Sequence, residues 1–280
     1  MKICRTVQEL TDSINTVKEN KQSIGLVPTM GALHNGHKSL FDRARKENDV
    51  LVCSVFVNPI QFNNQDDFKK YPRDEKKDIA FLEASGCDIA FVPDAKEVYK
   101  EEPTEHYDFG QLEQVMEGKQ RPGHFNGVAT IVNRLFMWTK ADRGYFGEKD
   151  FQQIAIIKDL VRQKNIPIKI VACPIFRDED GLATSSRNQR LSAKAREIAP
   201  KIHQILTKSF QMKDDLSISQ IKSFVESEFK RRKEFELEYF MIVDDTTLQP
   251  ILMKKEGQGV VGCVAVWLDG VRLIDIQRYY

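Results

Sequence analysis

Short apolar, β-branched runs alternate with amphipathic stretches along the first part of the chain. Ile24–Val27 reads as a strand, helical periodicity follows to Glu47, and Val50–Val57 is again a continuous apolar run, so the three form a βαβ unit. The pattern predicts a helix over Lys76–Ala84, a strand at Asp88–Val92 and a helix around Val128–Trp138. A strand near Gly144–Phe146, a helix over Lys149–Lys164 and a strand at Ile168–Ala172 complete it. Such alternation implies the α/β class, with a parallel sheet covered on both faces by helices.

After Pro174 the pattern changes. Arg177–Asn188 is a polar loop containing Gly181, followed by two charged amphipathic helices at about Ala193–Phe210 and Ile218–Arg231. Strands are expected at Glu236–Val243, Gly259–Trp267 and Val271–Ile276, with a turn at Asp269-Gly270. This predicts a smaller α+β second domain and a boundary near residue 175, giving domains 1–175 and 176–280. No repeat and no low-complexity segment interrupts either part.

Composition narrows the partners. The chain has 280 residues, enough for one large domain and a smaller one. Lys and Arg total 42 against 41 for Asp and Glu, a net charge of +1, which supplies no global pull toward nucleic acid or membrane. Cys4, Cys53, Cys87, Cys173 and Cys263 form no C-x-x-C pair and sit mostly in apolar stretches, as small buried hydrophobes of a reducing compartment do. The first residues lack the apolar core of a secretory signal, and no stretch is long and apolar enough to span a bilayer. A cytoplasmic location is the expectation.

In an open parallel sheet ligands bind at the carboxyl ends of strands, so the polar segments that follow strands carry the candidate chemistry. The first is Pro28 to His37, leaving the first strand and entering a helix; Gly31 and Gly36 permit close backbone approach, and the helix N-terminus favours an anion. His34 and His37, three residues apart, can face one phosphate and donate hydrogen bonds to charge developing on it. An isolated H-x-G-H equally describes two histidines in a surface turn. A zinc site is disfavoured because no third ligand follows at suitable spacing, and neither G-x-x-x-x-G-K-[ST] nor G-x-G-x-x-G is present.

Four further segments fall at comparable places. Asn58 and Gln61, in Phe56–Phe62, offer amides suited to a polar substrate, although Asn58-Pro59 alone is an ordinary turn. Arg121–Val128 is a glycine-rich helix entry that either clamps a carboxylate or caps the helix. Phe146–Gln153 ends a strand and starts a helix, placing Lys149, Asp150 and Gln153 in its first turns, where acidic residues also serve as simple caps. Thr184-Ser185-Ser186-Arg187-Asn188 combines hydroxyls with an arginine, a mobile anion clamp or a solvated loop.

Taken together, P-T-M-G-A-L-H-N-G-H at 28–37, F-V-N-P-I-Q-F at 56–62, R-P-G-H-F-N-G-V at 121–128, F-G-E-K-D-F-Q-Q at 146–153 and S-S-R-N at 185–188 closely resemble the pantothenate synthetase (pantoate–β-alanine ligase) family, in family order and over essentially the whole chain. The first motif is that family's form of the HIGH motif of a wider nucleotidyltransferase superfamily. The resemblance implies a Rossmann-like N-terminal domain with a smaller C-terminal lid, a homodimer, and Mg²⁺-dependent, ATP-driven condensation of pantoate with β-alanine through a pantoyl adenylate, releasing AMP and pyrophosphate.

It also implies roles. ATP would lie along Met30, Gly31, Ala32, Leu33, His34, Asn35, Gly36 and His37, with His37 the nominee for proton donor and His34 beside it. Gly147, Glu148, Lys149 and Asp150 would contact ATP, with Asp150 on ribose and Lys149 on phosphate; Phe176 would lie near adenine, and Thr184, Ser185, Ser186 and Arg187 would close over the phosphates. Gln61 and Gln153 would hold pantoate, with Asn58 beside them among the residues for pantoate and β-alanine. One position departs from the family pattern, since many members carry Met where this chain has Thr184. The rival reading is another small-molecule adenylyltransferase of the same superfamily, lacking the amide-forming half-reaction. Neither nucleic acid nor membrane is an expected partner.

Overall fold

In the computed structural model, which describes residues 1–280, the apolar runs of the first part become six strands: β1 (Lys2–Cys4), β2 (Ile24–Thr29), β3 (Val50–Val55), β4 (Ile89–Phe91), β5 (Arg143–Gly147) and β6 (Lys169–Cys173). All are parallel, in the order β1-β4-β3-β2-β5-β6. From β2 the chain builds outward through β3 and β4, then returns to add β5 and β6 on the other side. The winding therefore reverses between β2 and β5, and connections leaving the carboxyl ends on either side of such a reversal open a crevice.

β2 and β3 pair from Ile24↔Val50 to Thr29↔Val55 and are buried on both faces, which is why they read as continuous apolar runs. The helix Asn35–Glu47 lays Leu40, Phe41 and Ala44 into a core with Val27, Leu51, Leu82 and Tyr145. Burial of each large side chain there contributes about 1.5–3 kcal/mol. β1 and the helix Val7–Glu19 are additions to the expected pattern. That helix begins with a capping box in which the Thr6 side chain accepts from the Glu9 N–H, a signal legible as T-x-x-E.

The C-terminal part forms an antiparallel sheet of β7 (Phe235–Asp244), β8 (Val260–Leu268) and β9 (Val271–Arg278). Its β8–β9 hairpin turns at Asp269 (φ 54°) and Gly270 (φ 69°), the two left-handed residues a tight hairpin requires. The helices Lys201–Gln211 and Ile218–Lys230 pack Ile202, Leu206, Ile221, Val225 and Phe229 into one cluster with Phe240, Val264 and Leu273 of this sheet. The expected helix over Ala193–Phe210 is two helices, Ala193–Ile198 and Lys201–Gln211, separated at Pro200, which has no N–H to continue the ladder.

The chain forms two compact units: residues 1–109, 121–147 and 153–174 in one, and 110–120, 148–152 and 175–280 in the other. The division is thus not a single cut, and side chains explain the two early segments that join the second unit. Arg272 donates two bonds to Glu117, both 2.7 Å, and also pairs with Glu238, while the Tyr239 hydroxyl donates to Glu117 at 2.7 Å. Burial alone would lower the Arg272 pKa; the two carboxylates outweigh it and raise it. Gln152 accepts from the Glu117 N–H at 2.9 Å and donates to the carbonyls of Leu112 and Val115, so 148–152 is tied to 110–120.

At the end of β7, Asp244 accepts from the N–H groups of Thr247 (2.6 Å) and Thr246 (3.0 Å) and from Gln258 (2.8 Å), and these bonds, that of Thr247 foremost, lower its carboxyl to about 2. A depressed carboxylate stabilises the fold above its ordinary pKa near 3.8 and loses that contribution as pH falls toward about 2. Asp244→Asn is expected to lower Tm at pH 7, with the gap from wild type closing between pH 4 and pH 2; a gap independent of pH in thermal melts would remove Asp244 from the acid response. All five cysteines are buried and free. No helix is long and apolar enough to cross a membrane.

Candidate active site

β2 ends at Thr29, whose hydroxyl donates to the Ser54 carbonyl at 2.6 Å and receives the Gly31 N–H at 3.3 Å, turning the chain out of the sheet. Gly31 (φ 77°) and Ala32 (φ 49°) are both left-handed. A Cβ on Gly31 would meet the Asp78 Oδ2 at 2.7 Å, so both backbone and space demand glycine. Asp78, reaching in from the helix Glu75–Ala84, accepts the Ala32 N–H on Oδ2 at 3.0 Å and the Leu33 N–H on Oδ1 at 2.8 Å. Left-handed backbone costs a non-glycine residue about 1–2 kcal/mol, and the Asp78 hydrogen bonds to Ala32 and its neighbour Leu33 offset that. Asp78 is 4% exposed; burial raises its pKa against the opposing pull of those two N–H groups.

The turn delivers His34 as the extended N-cap of the helix Asn35–Glu47. The His34 N–H donates to the His37 Nδ1 at 3.3 Å, and the two rings lie 4.0 Å apart between centroids. With Nδ1 accepting, the neutral His37 ring carries its hydrogen on Nε2, which becomes its donor atom. The first turn of this helix contains no acidic residue, so its N-terminal dipole is left to favour an external anion.

Beyond β3, Asn58 and Gln61 are 1% and 7% exposed. The Asn58 amide donates to Gln61 Oε1 and to the Gly127 carbonyl, each at 3.0 Å, and accepts from the Tyr99 hydroxyl at 2.6 Å. Three protein partners thus engage Asn58. Gln61 Nε2 lies 3.0 Å from the Met30 sulfur, so the first two polar segments meet. The Arg121–Val128 segment braces the same residue: His124 Nδ1 bonds the Gln61 carbonyl at 2.8 Å, and a Cβ on Gly127 would lie 2.6 Å from the Gln61 Cα.

β5, on the other side of the reversal, ends at Gly147. Gln153 follows, half-buried, in the first turn of the helix Phe151–Lys164. In the second unit, Lys149 pairs with Asp150 at 3.2 Å, and Glu148 is held by Arg278 at 2.9 Å. The loop after β6 is anchored within that unit. Arg177 makes a bidentate pair with the buried Asp275 (2.7 and 2.9 Å), and Arg196 pairs with Asp178 (3.0 Å) and with Asp180. The Phe176 carbonyl accepts the Thr184 N–H at 3.0 Å, Ser185 caps the short helix Ser186–Arg190 by accepting from the Arg187 N–H, and Ser186 is buried.

The Thr184 hydroxyl donates to Asp178 at 2.7 Å, a contact at the foot of the loop. Because Arg196 also holds Asp178, Thr184→Met is expected to leave turnover within a few-fold. Steady-state rates check this, and a collapse of activity would show that the hydroxyl itself takes part.

The family model for pantoate–β-alanine ligase matches residues 2–278. The chain belongs to this family. It is 49% identical over 279 residues to the pantothenate synthetase of Bacteroides fragilis, covering 100% of this chain and 99% of that protein. Against the pantothenate synthetase of Porphyromonas gingivalis identity is 47% over 279 residues, with the same coverage of 100% and 99%. The crystal structure of the Thermus thermophilus pantothenate synthetase matches with a TM-score of 0.94 at 40% identity, covering 100% of both chains. A Francisella tularensis pantoate–β-alanine ligase, crystallised with β,γ-ATP and β-alanine, gives 0.83 at 36%, covering 100% of this chain and 98% of that one.

Within this pantoate–β-alanine ligase fold, several residues that shape the site are absent from the sequence reading. Asp78 stands near a helix start, where an acidic residue reads as dipole compensation. Tyr99 follows a one-turn helix with no motif around it. Asp275 lies in a strand, where a buried carboxylate 98 residues from Arg177 leaves no local signal.

Proposed function

We propose that the site carries out the family reaction, ATP-dependent condensation of pantoate with β-alanine, by in-line attack of the pantoate carboxylate on the α-phosphorus of ATP. The P–O bond to pyrophosphate breaks as the carboxylate bond forms, giving pantoyl adenylate. The β-alanine amine then attacks the activated carbonyl, and AMP leaves with the electron pair of the C–O bond. The observation that carries this reading is the His34–His37 pair at an acid-free helix N-terminus beside the sheet reversal. Two imidazoles and a positive dipole end there suit charge growing on phosphate oxygens, so the residues act by positioning and electrostatic stabilisation.

His37, through Nε2–H, is assigned as proton donor with His34 beside it; Gly147, Glu148, Lys149 and Asp150 are assigned to ATP, and Ser185, Ser186 and Arg187 to its phosphates. Gln61 and Gln153 are assigned to pantoate. Mg²⁺ is read as part of the substrate, entering on the ATP phosphates. A homodimer is the proposed assembly, on the family's precedent. A different adenylyltransferase is not favoured, because both half-reactions belong to the family this chain matches along its length.

Isotope labelling tests the chemistry. Pantoate labelled with ¹⁸O in its carboxylate should transfer one ¹⁸O to AMP and keep the other in the amide of pantothenate. AMP free of label would rule out carboxylate attack at phosphorus.

A further inference from the structure

We propose that Tyr99, acting through Asn58, fixes the Gln61 side chain as a hydrogen-bond donor toward an acceptor oxygen of the substrate, which makes Tyr99 a positioning residue for the reaction. The Gly127 carbonyl can only accept, so the end of the Asn58 amide 3.0 Å from it is the –NH₂. Asn58 Oδ1 then faces the Tyr99 hydroxyl at 2.6 Å. Burial pushes the Tyr99 phenol well up, so it stays protonated and donates. The remaining Asn58 N–H goes to Gln61 Oε1 at 3.0 Å, which makes Nε2 the far end of the Gln61 amide.

That far end lies 3.0 Å from the Met30 sulfur. A thioether is a weak acceptor, and a carboxylate or hydroxyl oxygen is a far stronger one. A hydroxy acid presenting such an oxygen would take over the Gln61 N–H from the sulfur. The relay sets polarity as well as position: with Oε1 held inward by Asn58, Gln61 selects for an acceptor and against a donor. Tyr99 is itself held, its ring lying under the Arg134 guanidinium at 4.9 Å and beside Phe56 at 6.1 Å. Removing its hydroxyl leaves Asn58 Oδ1 buried and short of a partner, so the amide loses one of its three restraints and holds Gln61 less firmly.

The inference rests on the assignment of Gln61 to pantoate, and one set of variants separates the two. KM for pantoate, KM for ATP and Tm are measured for Tyr99→Phe, Gln61→Ala and Gln61→Glu. The relay predicts that Tyr99→Phe raises the pantoate KM about tenfold, the factor for roughly one hydrogen bond, while the ATP KM stays within about twofold. Gln61→Glu, which cannot donate and sets a negative charge against an oxygen, should bind pantoate worse than Gln61→Ala. An unchanged pantoate KM in Gln61→Ala overturns the assignment of Gln61 itself. A raised KM there, with a wild-type value in Tyr99→Phe or with Gln61→Glu better than Gln61→Ala, overturns the relay alone. If Tyr99→Phe fails to fold, the comparison of Glu with Ala at position 61 decides.

Discussion

His37→Ala should lower pantoate-dependent pyrophosphate release by roughly 10²–10³-fold, the usual cost of deleting one donor to transition-state charge. The fold should survive the change. His37 lies in the first turn of a helix whose buried contacts are Leu40, Phe41 and Ala44, and alanine is the better helix former there. The loss is expected mainly in kcat, because the Nε2–H is asked to act on charge that appears as pyrophosphate departs. His37→Gln, which keeps an N–H donor on a similar reach, should recover part of the rate. Wild-type turnover in His37→Ala, with pyrophosphate release followed in single-turnover mixing, would take His37 out of the mechanism.

The second large effect is expected at a residue with no assigned contact to any substrate. Asp78 holds the N–H groups of Ala32 and Leu33 and thereby the left-handed turn that places His34 and His37. Hydrogen bonds to a charged group contribute about 1.5–3 kcal/mol each, so losing both in Asp78→Ala should cost about 10²-fold or more in kcat/KM for ATP. Stability should respond differently. Burial raises the Asp78 pKa, so this group favours the fold most below the ordinary aspartate range and loses that contribution as pH rises through its elevated pKa. Asp78→Asn, which keeps one acceptor oxygen for the two N–H groups, should lose activity at every pH, while its Tm gap from wild type should narrow as pH rises. Parallel losses of activity and Tm would mean that Asp78 serves packing alone.

Asp78 also shows where sequence reading stops. Periodicity finds strands and helices because their signals are local: Val50–Val55 is buried on both faces and reads as a continuous apolar run, and Asp269-Gly270 turns a hairpin because both residues tolerate a left-handed backbone. The N-terminal helix also had a local signal in Thr6 and Glu9, and Pro200 marked the break between the two helices near it. The contacts that set the site are not local. Asp78 meets Ala32 across 46 residues, Tyr99 meets Asn58 across 41 and Arg272 meets Glu117 across 155, and nothing in either partner's own neighbourhood announces the other.

The motifs behave in the same way. His34, His37, Gln61 and Gln153 were legible as candidates because they follow strands, and the parallel order of β3, β2 and β5 explains why such segments gather at one edge of the sheet. What the motif letters concealed was the division of labour among them. Asn58 is engaged with Gln61, Gly127 and Tyr99, and the R-P-G-H-F-N-G-V segment supplies His124 and Gly127 to brace Gln61. An amide or an imidazole reads the same in sequence whether it faces a ligand or a neighbour; only its partners distinguish the two.

The central claim, that the carboxylate is activated before the amine arrives, is tested most directly by mixing the enzyme with ATP, Mg²⁺ and pantoate in the absence of β-alanine. A burst of pyrophosphate stoichiometric with enzyme is expected, with AMP and pantothenate appearing together only after β-alanine is added. Pyrophosphate release that waits for β-alanine, or that proceeds equally without pantoate, would contradict it.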